Sequence, residues 1–308
     1  MKNYDNDLIS LEKLISTIVS KKYTLVICTA LITVLTFAVS SNLPKIYQSK
    51  TLLMESTANE GSRPQNIGGI GGLANIAGFN VNGMPGTKTL MAIEILRSYK
   101  FFSSIVSKYD MLVPLMASRS WNDEDGLIID KSIYNTETDK WNKSYLASDN
   151  HPSLQKAHEL YNQIIDVYVD PETQFVTISL QHHSPVIAKE WLDLIIIELN
   201  EEIRSSDVIE AEKSIEYLMR EMQSTNLSEL QETFSNMVQS QIQTIMLANA
   251  NPEYVFRVID PPLVPEKPSS PSLIMITFLG FMMGGIVSVL LIIFLEIFRK
   301  DSSDIVDK

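Results

Sequence analysis

Two long apolar segments, residues 23–43 and 273–295, lie near opposite ends of this 308-residue chain and constrain its fold more than any other feature. The second runs from Leu273 to Leu295 without a single charged side chain. At a helical rise of ~1.5 Å per residue it extends roughly 34 Å, enough to cross a hydrocarbon layer ~30 Å thick. The first is also uncharged but carries several threonines. A cleaved leader would need a short basic lead-in and a small-residue cleavage signal. Here the lead-in exceeds twenty residues and contains Asp5, Asp7 and Glu12, and Ala38-Val-Ser-Ser41 runs directly into Asn-Leu-Pro. The segment reads as an uncleaved anchor.

Charge at the segment edges sets the expected orientation. Lys21 and Lys22 precede the first span, and Arg299 and Lys300 follow the second. Basic flanks are retained in the cytoplasm, so both termini are expected there and residues 44–272 on the far side. The formal charge is −12, and residues 1–43 and 273–308 together carry as many basic as acidic groups, so the intervening part holds all of it. A polyanion binder needs counterion-displacing basic stripes, and none is visible, which argues against nucleic acid as a partner. The single cysteine, Cys28, lies inside the first span and allows no intrachain disulfide.

Residues 5–22 place Leu8, Leu11, Leu14, Ile15 and Ile18 at helical spacing, the pattern of a short amphipathic helix in a cytoplasmic segment 1–22. A strand is expected over 46–54. Residues 57–86 then hold eight of the chain's twelve glycines, centred on Ile67-Gly-Gly-Ile-Gly-Gly-Leu-Ala-Asn-Ile-Ala-Gly78. A phosphate loop would follow a strand and end in Gly-Lys-Ser/Thr. No Gly-Lys-Ser/Thr follows and no strand leads tightly into the glycines, and the apolar residues among them suggest a flap or interface loop. Residues 87–110 repeat apolar side chains at helical spacing and predict one helix. The run 112–150 is less regular, and its Trp121-Asn-Asp-Glu-Asp-Gly126 lacks the ligand spacing of a calcium loop.

A helix is expected from His151, then two runs of period two. Ile165, Val167 and Val169 face Val176, Ile178 and Leu180 across the turn Asp170-Pro-Glu-Thr-Gln174, a hairpin with one buried face. The four histidines, at 151, 158, 182 and 183, show no i, i+4 pairing suited to zinc and read as surface residues. Pro185 starts the longest periodic region. Trp191, Ile195, Leu199 and Ile203 form an apolar stripe, residues 204–214 are mostly polar, and Ile215, Leu218, Met219 and Met222 resume it. A helix over about 185–223 exceeds what a compact domain needs, so it predicts a stalk, with Trp191, Ile195, Leu199 and Ile203 facing neighbouring copies. A Gln-rich return helix is expected over about 227–249, and a last strand over 254–260.

Prolines at 261, 262, 265, 268 and 271 deny the backbone helical hydrogen bonds and favour a stiff extended connector before the second span. Within that span Gly280, Gly284 and Gly285 make a small-xxx-small face on which another transmembrane helix can pack closely. No Ser/His/Asp, metal or paired-acid constellation emerges, so no catalytic, cofactor or metal residue is assigned.

These landmarks together resemble the Wzz-type polysaccharide chain-length determinants, members of the polysaccharide co-polymerase family of Gram-negative inner membranes. The likeness rests on Asp7-Leu-Ile-Ser-Leu-Glu-Lys-Leu before the first span, Leu43-Pro-Lys-Ile-Tyr-Gln-Ser-Lys after it, and Tyr254-Val-Phe-Arg-Val-Ile-Asp-Pro-Pro before the second. It also rests on the proline motif, Pro262, Pro265, Ser270 and Pro271, followed by Gly280 and Gly284. Ser272 departs from the family, which commonly has a basic residue there. The Gly-Gly-Ile-Gly-Gly-Leu-Ala-Asn loop is similar to one in larger relatives that carry a cytoplasmic tyrosine kinase, whereas the tail expected here, 296–308, has no room for one.

The resemblance implies a two-span membrane protein whose periplasmic α/β (α+β) base domain, 44–272, is extended by a long helical stalk or hairpin. It further implies a non-enzymatic regulator without cofactor. Copies would form a ring in the lipid membrane, with a Wzy-type polymerase and a lipid-linked glycan as partners, and set the modal length of lipopolysaccharide O-antigen. Two alternatives compete: a co-polymerase for exopolysaccharide or capsule with a separate kinase, and a two-span periplasmic sensor.

Overall fold

The computed structural model describes residues 20–56, 87–148, 151–224 and 228–306. In chain order its elements are α1 (Lys22–Ser41), β1 (Tyr47–Glu55), α2 (Thr87–Arg97), α3 (Tyr99–Lys108) and α4 (Leu112–Ala117). Six short strands follow: β2 (Ser118–Asn122), β3 (Gly126–Ile129), β4 (Tyr134–Asn135), β5 (Lys140–Trp141), β6 (Leu146–Ser148) and β7 (His151–Pro152). Then come α5 (Leu154–Ile164), β8 (Ile165–Val169), β9 (Val176–His182), α6 (Pro185–Ser224), α7 (Ser228–Ala250), β10 (Phe256–Asp260) and α8 (Leu273–Val306). The amphipathic stretch of 5–22 up to Val19, the glycine-rich segment 57–86 and the bend around 225–227 lie outside the described residues.

The chain divides into two compact units: 1–45 with 269–308, and 46–268. In the first, α1 packs against α8. Both helices are long and apolar enough to cross a membrane, over Lys22–Ser41 and Leu273–Leu295, and most of their large side chains point outward in the isolated chain. The backbone of α8 stays helical to Val306, well past the apolar stretch.

In the second unit an antiparallel sheet of order β10-β1-β9-β8 carries the core on one face. Register sets that face. Leu53 lies opposite Val176, Thr51 opposite Ile178, and Ser49 opposite Leu180 on β1 and β9, while Ile165 of β8 lies opposite Leu180. Paired residues of an antiparallel ladder point to the same side, so these side chains share one layer. The first half of α6 covers it with Ala188, Trp191, Leu192, Ile195, Ile196, Leu199 and Ile203, all buried in the same cluster. The stripe Trp191, Ile195, Leu199, Ile203 is therefore core of the chain's own domain. This corrects the expectation that it meets neighbouring copies: the helical period reports burial, and the sheet supplies the cover.

Beyond Ile203 the helix has little of its own domain to lie on. Ala211 is its one further buried residue among those described, and α7 runs back along it. The expected single helix over 87–110 is two. Ser98 adopts an extended backbone (φ −71°, ψ 147°), and its hydroxyl accepts from the Phe101 N–H, capping α3. Ser153 caps α5 in the same way, so that helix starts at Leu154 instead of His151.

His182 is not a surface residue. It lies buried where β9 turns into α6, with Nδ1 accepting from the Ser184 N–H (3.0 Å) and Nε2 lying 3.0 Å from the Pro114 carbonyl, a geometry that fits a neutral ring protonated on Nε2. Burial drives its pKa from 6.5 down to about 4. The unfolded chain takes up this proton below about pH 6.5, whereas the folded chain resists until about 4, so stability falls as pH drops through that window and then levels off. A loss of roughly 1–2 kcal/mol between pH 6.5 and 5 is expected, since a full pKa unit is worth about 1.36 kcal/mol and the unfolded histidine is only half protonated at the upper end. Denaturant titrations at the two pH values check it, with the difference largely removed in His182→Gln.

Candidate functional site: the anchor pair and the clamped connector

The α1–α8 contact follows a four-residue spacing on α8 and a three- and four-residue spacing on α1. On α8 the buried positions are Gly280, Gly284, Ser288 and Ile292, and on α1 they include Thr29 and Ser40, with Ile32 and Thr36 half-buried between them. Such i, i+4 rows are the ridges by which helices interlock, and small residues along a row let backbones approach closely. A Cβ added at Gly280 would lie 2.7 Å from the Thr36 side chain, and one at Gly284 would lie 3.2 Å from Ile32 and 3.3 Å from the Thr29 carbonyl. Gly285 meets nothing within 4 Å. Gly280 and Gly284 therefore seat the chain's own first helix, while Gly285 takes no part in that contact.

Hydroxyls line the same seam. The Thr29 Oγ1 and Ser288 Oγ atoms lie 3.2 Å apart across it, and the Ser288 hydroxyl also lies 2.6 Å from the Gly284 carbonyl. Thr33 and Thr36 donate back to the carbonyls of Thr29 and Ile32, both at 2.8 Å. These bonds satisfy polar groups within each helix or across the pair, as an apolar surrounding demands.

In the other unit the proline segment is fastened by side chains. Proline offers no N–H to a ladder, so an extended proline run needs other partners. Ser49 and Thr51, buried on the core face of β1, donate to the carbonyls of Leu263 and Asp260 at 2.8 Å each. Pro262 is buried and Pro265 half-buried, whereas Leu263 and Val264 point into solvent. Ser270 and Pro271, joined by a cis peptide and belonging to the first unit, are half-buried.

Asn200 holds the chain just upstream. This buried amide accepts from the N–H groups of Val255 (2.8 Å) and Phe256 (2.9 Å) and donates to the Phe256 carbonyl (3.1 Å), so one side chain of α6 fixes the entry to β10. Nearby, the Lys88 ammonium donates to Asp207 (2.9 Å) and Tyr254 (3.1 Å), and the Tyr254 hydroxyl donates to Asp207 (2.7 Å). Burial opposes the Lys88 charge, but its bonds to Asp207 and Tyr254 outweigh that and raise its pKa. The triad ties the first turn of α2 to α6 and to the segment before β10. Sequence reasoning missed Ser49, Thr51 and Asn200; the only available signal was a lone polar residue at an apolar register position. Among the described residues, no group of three or more His, Cys, Asp or Glu side chains is placed to hold a metal ion.

The architecture is that of an α/β domain carried between two apolar helices, with its last strand tied to a proline connector. Residues 7–109, about a third of the chain, match the family model Wzz, chain length determinant protein. Among solved structures it is similar to a "full-length bacterial polysaccharide co-polymerase", at 12% identity, covering 94% of this chain and 99% of that one, with a TM-score of 0.39. It is also similar to a "Fragment of WzzB, Polysaccharide Co-polymerase from Salmonella Typhimurium", at 14% identity, covering 74% of this chain and 100% of that one, with a TM-score of 0.28. A search of curated proteins finds no match.

Proposed function

We propose that this chain is a polysaccharide chain length determinant of a Gram-negative inner membrane. The observation that carries the proposal is the Wzz match over residues 7–109, which covers the first apolar helix, β1 and the helices α2 and α3. In this reading both apolar helices span the membrane. The basic flanks Lys21, Lys22, Arg299 and Lys300 hold both termini in the cytoplasm, and residues 44–272 lie in the periplasm. Several copies close into a ring, which meets a Wzy-type polymerase and a lipid-linked glycan and sets how many repeat units an O-antigen receives.

The chain acts in this scheme as a scaffold with no chemistry of its own. Its contribution is geometric: the Gly280/Gly284 seam pairs the anchors, and Ser49 and Thr51 fasten the start of the proline segment to the domain's own sheet. The glycine-rich segment favours a second product, an exopolysaccharide or capsule made with a separate kinase. Deleting the gene and resolving surface glycans by length on gels tests both. Loss of the modal O-antigen cluster supports the first reading, and a change confined to capsule or exopolysaccharide supports the second. Unchanged lengths in every glycan would refute chain-length control.

A further inference from the structure

The surface of α7 breaks the pattern of the rest of the domain. Residues 44–272 carry a net charge of −12, yet α7 bears no charged side chain from Thr233 to Ala250, a run of about 27 Å at helical rise. The facing half of α6, residues 208–224, carries six charged residues. The neutrality is not explained by burial: Ala248 is the one buried residue of α7, and Asn236, Gln239, Ile242, Gln243 and Met246 all point outward. Ile242 and Met246 are 46% and 65% exposed. A solvated helix face is ordinarily charged, and a neutral one bearing Met and Ile has the composition of an interface centre, where Lys, Glu and Asp are depleted and Met is enriched.

The geometry points to this outward face of α7 as the surface on which a second copy of the chain docks. Two features select that occupant. Copies that each carry −12 repel one another wherever acidic surfaces meet, so a copy can approach closely only where the charge is missing. A basic partner would instead seek the acidic surface. The amides of Asn236, Gln239 and Gln243 both donate and accept hydrogen bonds, so they can pair with the same amides, or with other polar groups, of an identical chain; a carboxylate facing a carboxylate cannot. The stalk thus has a contact face, but on α7, not on the Trp191–Ile203 stripe. This inference rests on the assembly proposed above and names the surface that assembly uses.

The test uses the full chain in detergent, in a Cys28→Ser background, with single cysteines introduced as Gln239→Cys, Gln243→Cys or, as an exposed reference on α6, Arg220→Cys. Maleimide labelling at 239 and 243 is expected to be at least tenfold slower in the assembled particle than after dissociation into single chains, while 220 labels equally in both. Met246→Glu should shift the particle to single chains at a concentration where the parent chain and Met246→Leu stay assembled. An assembled particle that labels rapidly at 239 and 243 and tolerates Met246→Glu would overturn this face and leave the ring standing. Slow labelling that persists in single chains would also overturn it, because something other than a second copy then covers α7. A parent chain that is single from the outset overturns the assembly and this surface together.

Discussion

Replacing Asn200 with Ala is expected to destabilise the α/β domain by about 3–5 kcal/mol, the largest effect of any single side chain outside the apolar core. The amide is buried and makes three bonds to backbone groups of Val255 and Phe256 at 2.8–3.1 Å. Removing it strands two N–H groups and a carbonyl in a site closed to water, and each stranded group costs ~1–3 kcal/mol. The buried neighbours Leu199, Ile203 and Phe256 leave little room for solvent to take over. For a domain of this size the thermal midpoint should fall by roughly 10 °C. Thermal unfolding of the detergent-solubilised chain followed by circular dichroism checks this, with Ser206→Ala on the exposed side of the same helix as control. A drop below about 1 kcal/mol would show that the clamp is not structurally important.

Gly280→Leu is expected to separate the anchor helices, and Gly285→Leu to leave them paired. At 280 a Cβ would sit 2.7 Å from Thr36 Cβ, an atom tied closely to its backbone, so the helices must part or tilt; at 285 the side chain enters open space. Overpacking of this kind costs ~1–3 kcal/mol per site and here acts on the closest approach of the pair. The readout is a reporter disulfide from Thr29→Cys and Ser288→Cys, whose parent hydroxyls lie 3.2 Å apart, in a Cys28→Ser background. Intrachain oxidation should fall at least tenfold with Gly280→Leu and less with Gly284→Leu, whose Cβ would lie in tight contact 3.2 Å from Ile32 instead of 2.7 Å from a neighbour. Equal loss at 280 and 285 would mean that the seam lies elsewhere.

Period was legible in this sequence, and partner was not. The alternation in 165–169 and 176–180 and the apolar spacing from Trp191 to Ile203 mark residues that must be covered, and the structure covers them. The pattern cannot say by what, which is why a stripe facing β1 and β9 resembled a surface for other copies. The glycine spacing carried the same ambiguity. Gly280 and Gly284 announce a close helix approach, yet only the fold shows that the helix is the chain's own, and that Gly285 stands apart from it.

The polar clamps were illegible for a different reason. Ser49 and Thr51 bond carbonyls more than two hundred positions away, and Asn200 reaches Phe256 across 56. Nothing local distinguishes such residues from solvated ones. Ser98 is a subtler case: the helical period of 87–110 continues through it, so a cap that divides α2 from α3 is invisible to periodicity. His182 is a further case: the lack of metal-ligand spacing among the histidines says nothing about burial, and the turn into α6 encloses this one.

The central claim is that this chain works by assembling copies in a membrane. Electron micrographs of the full chain, extracted in mild detergent and held at neutral pH, test it directly. Closed rings of several copies, with each chain contributing one α/β domain, are the predicted result. A homogeneous field of single chains, with a solution mass matching one 34.7 kDa polypeptide plus detergent, would contradict it.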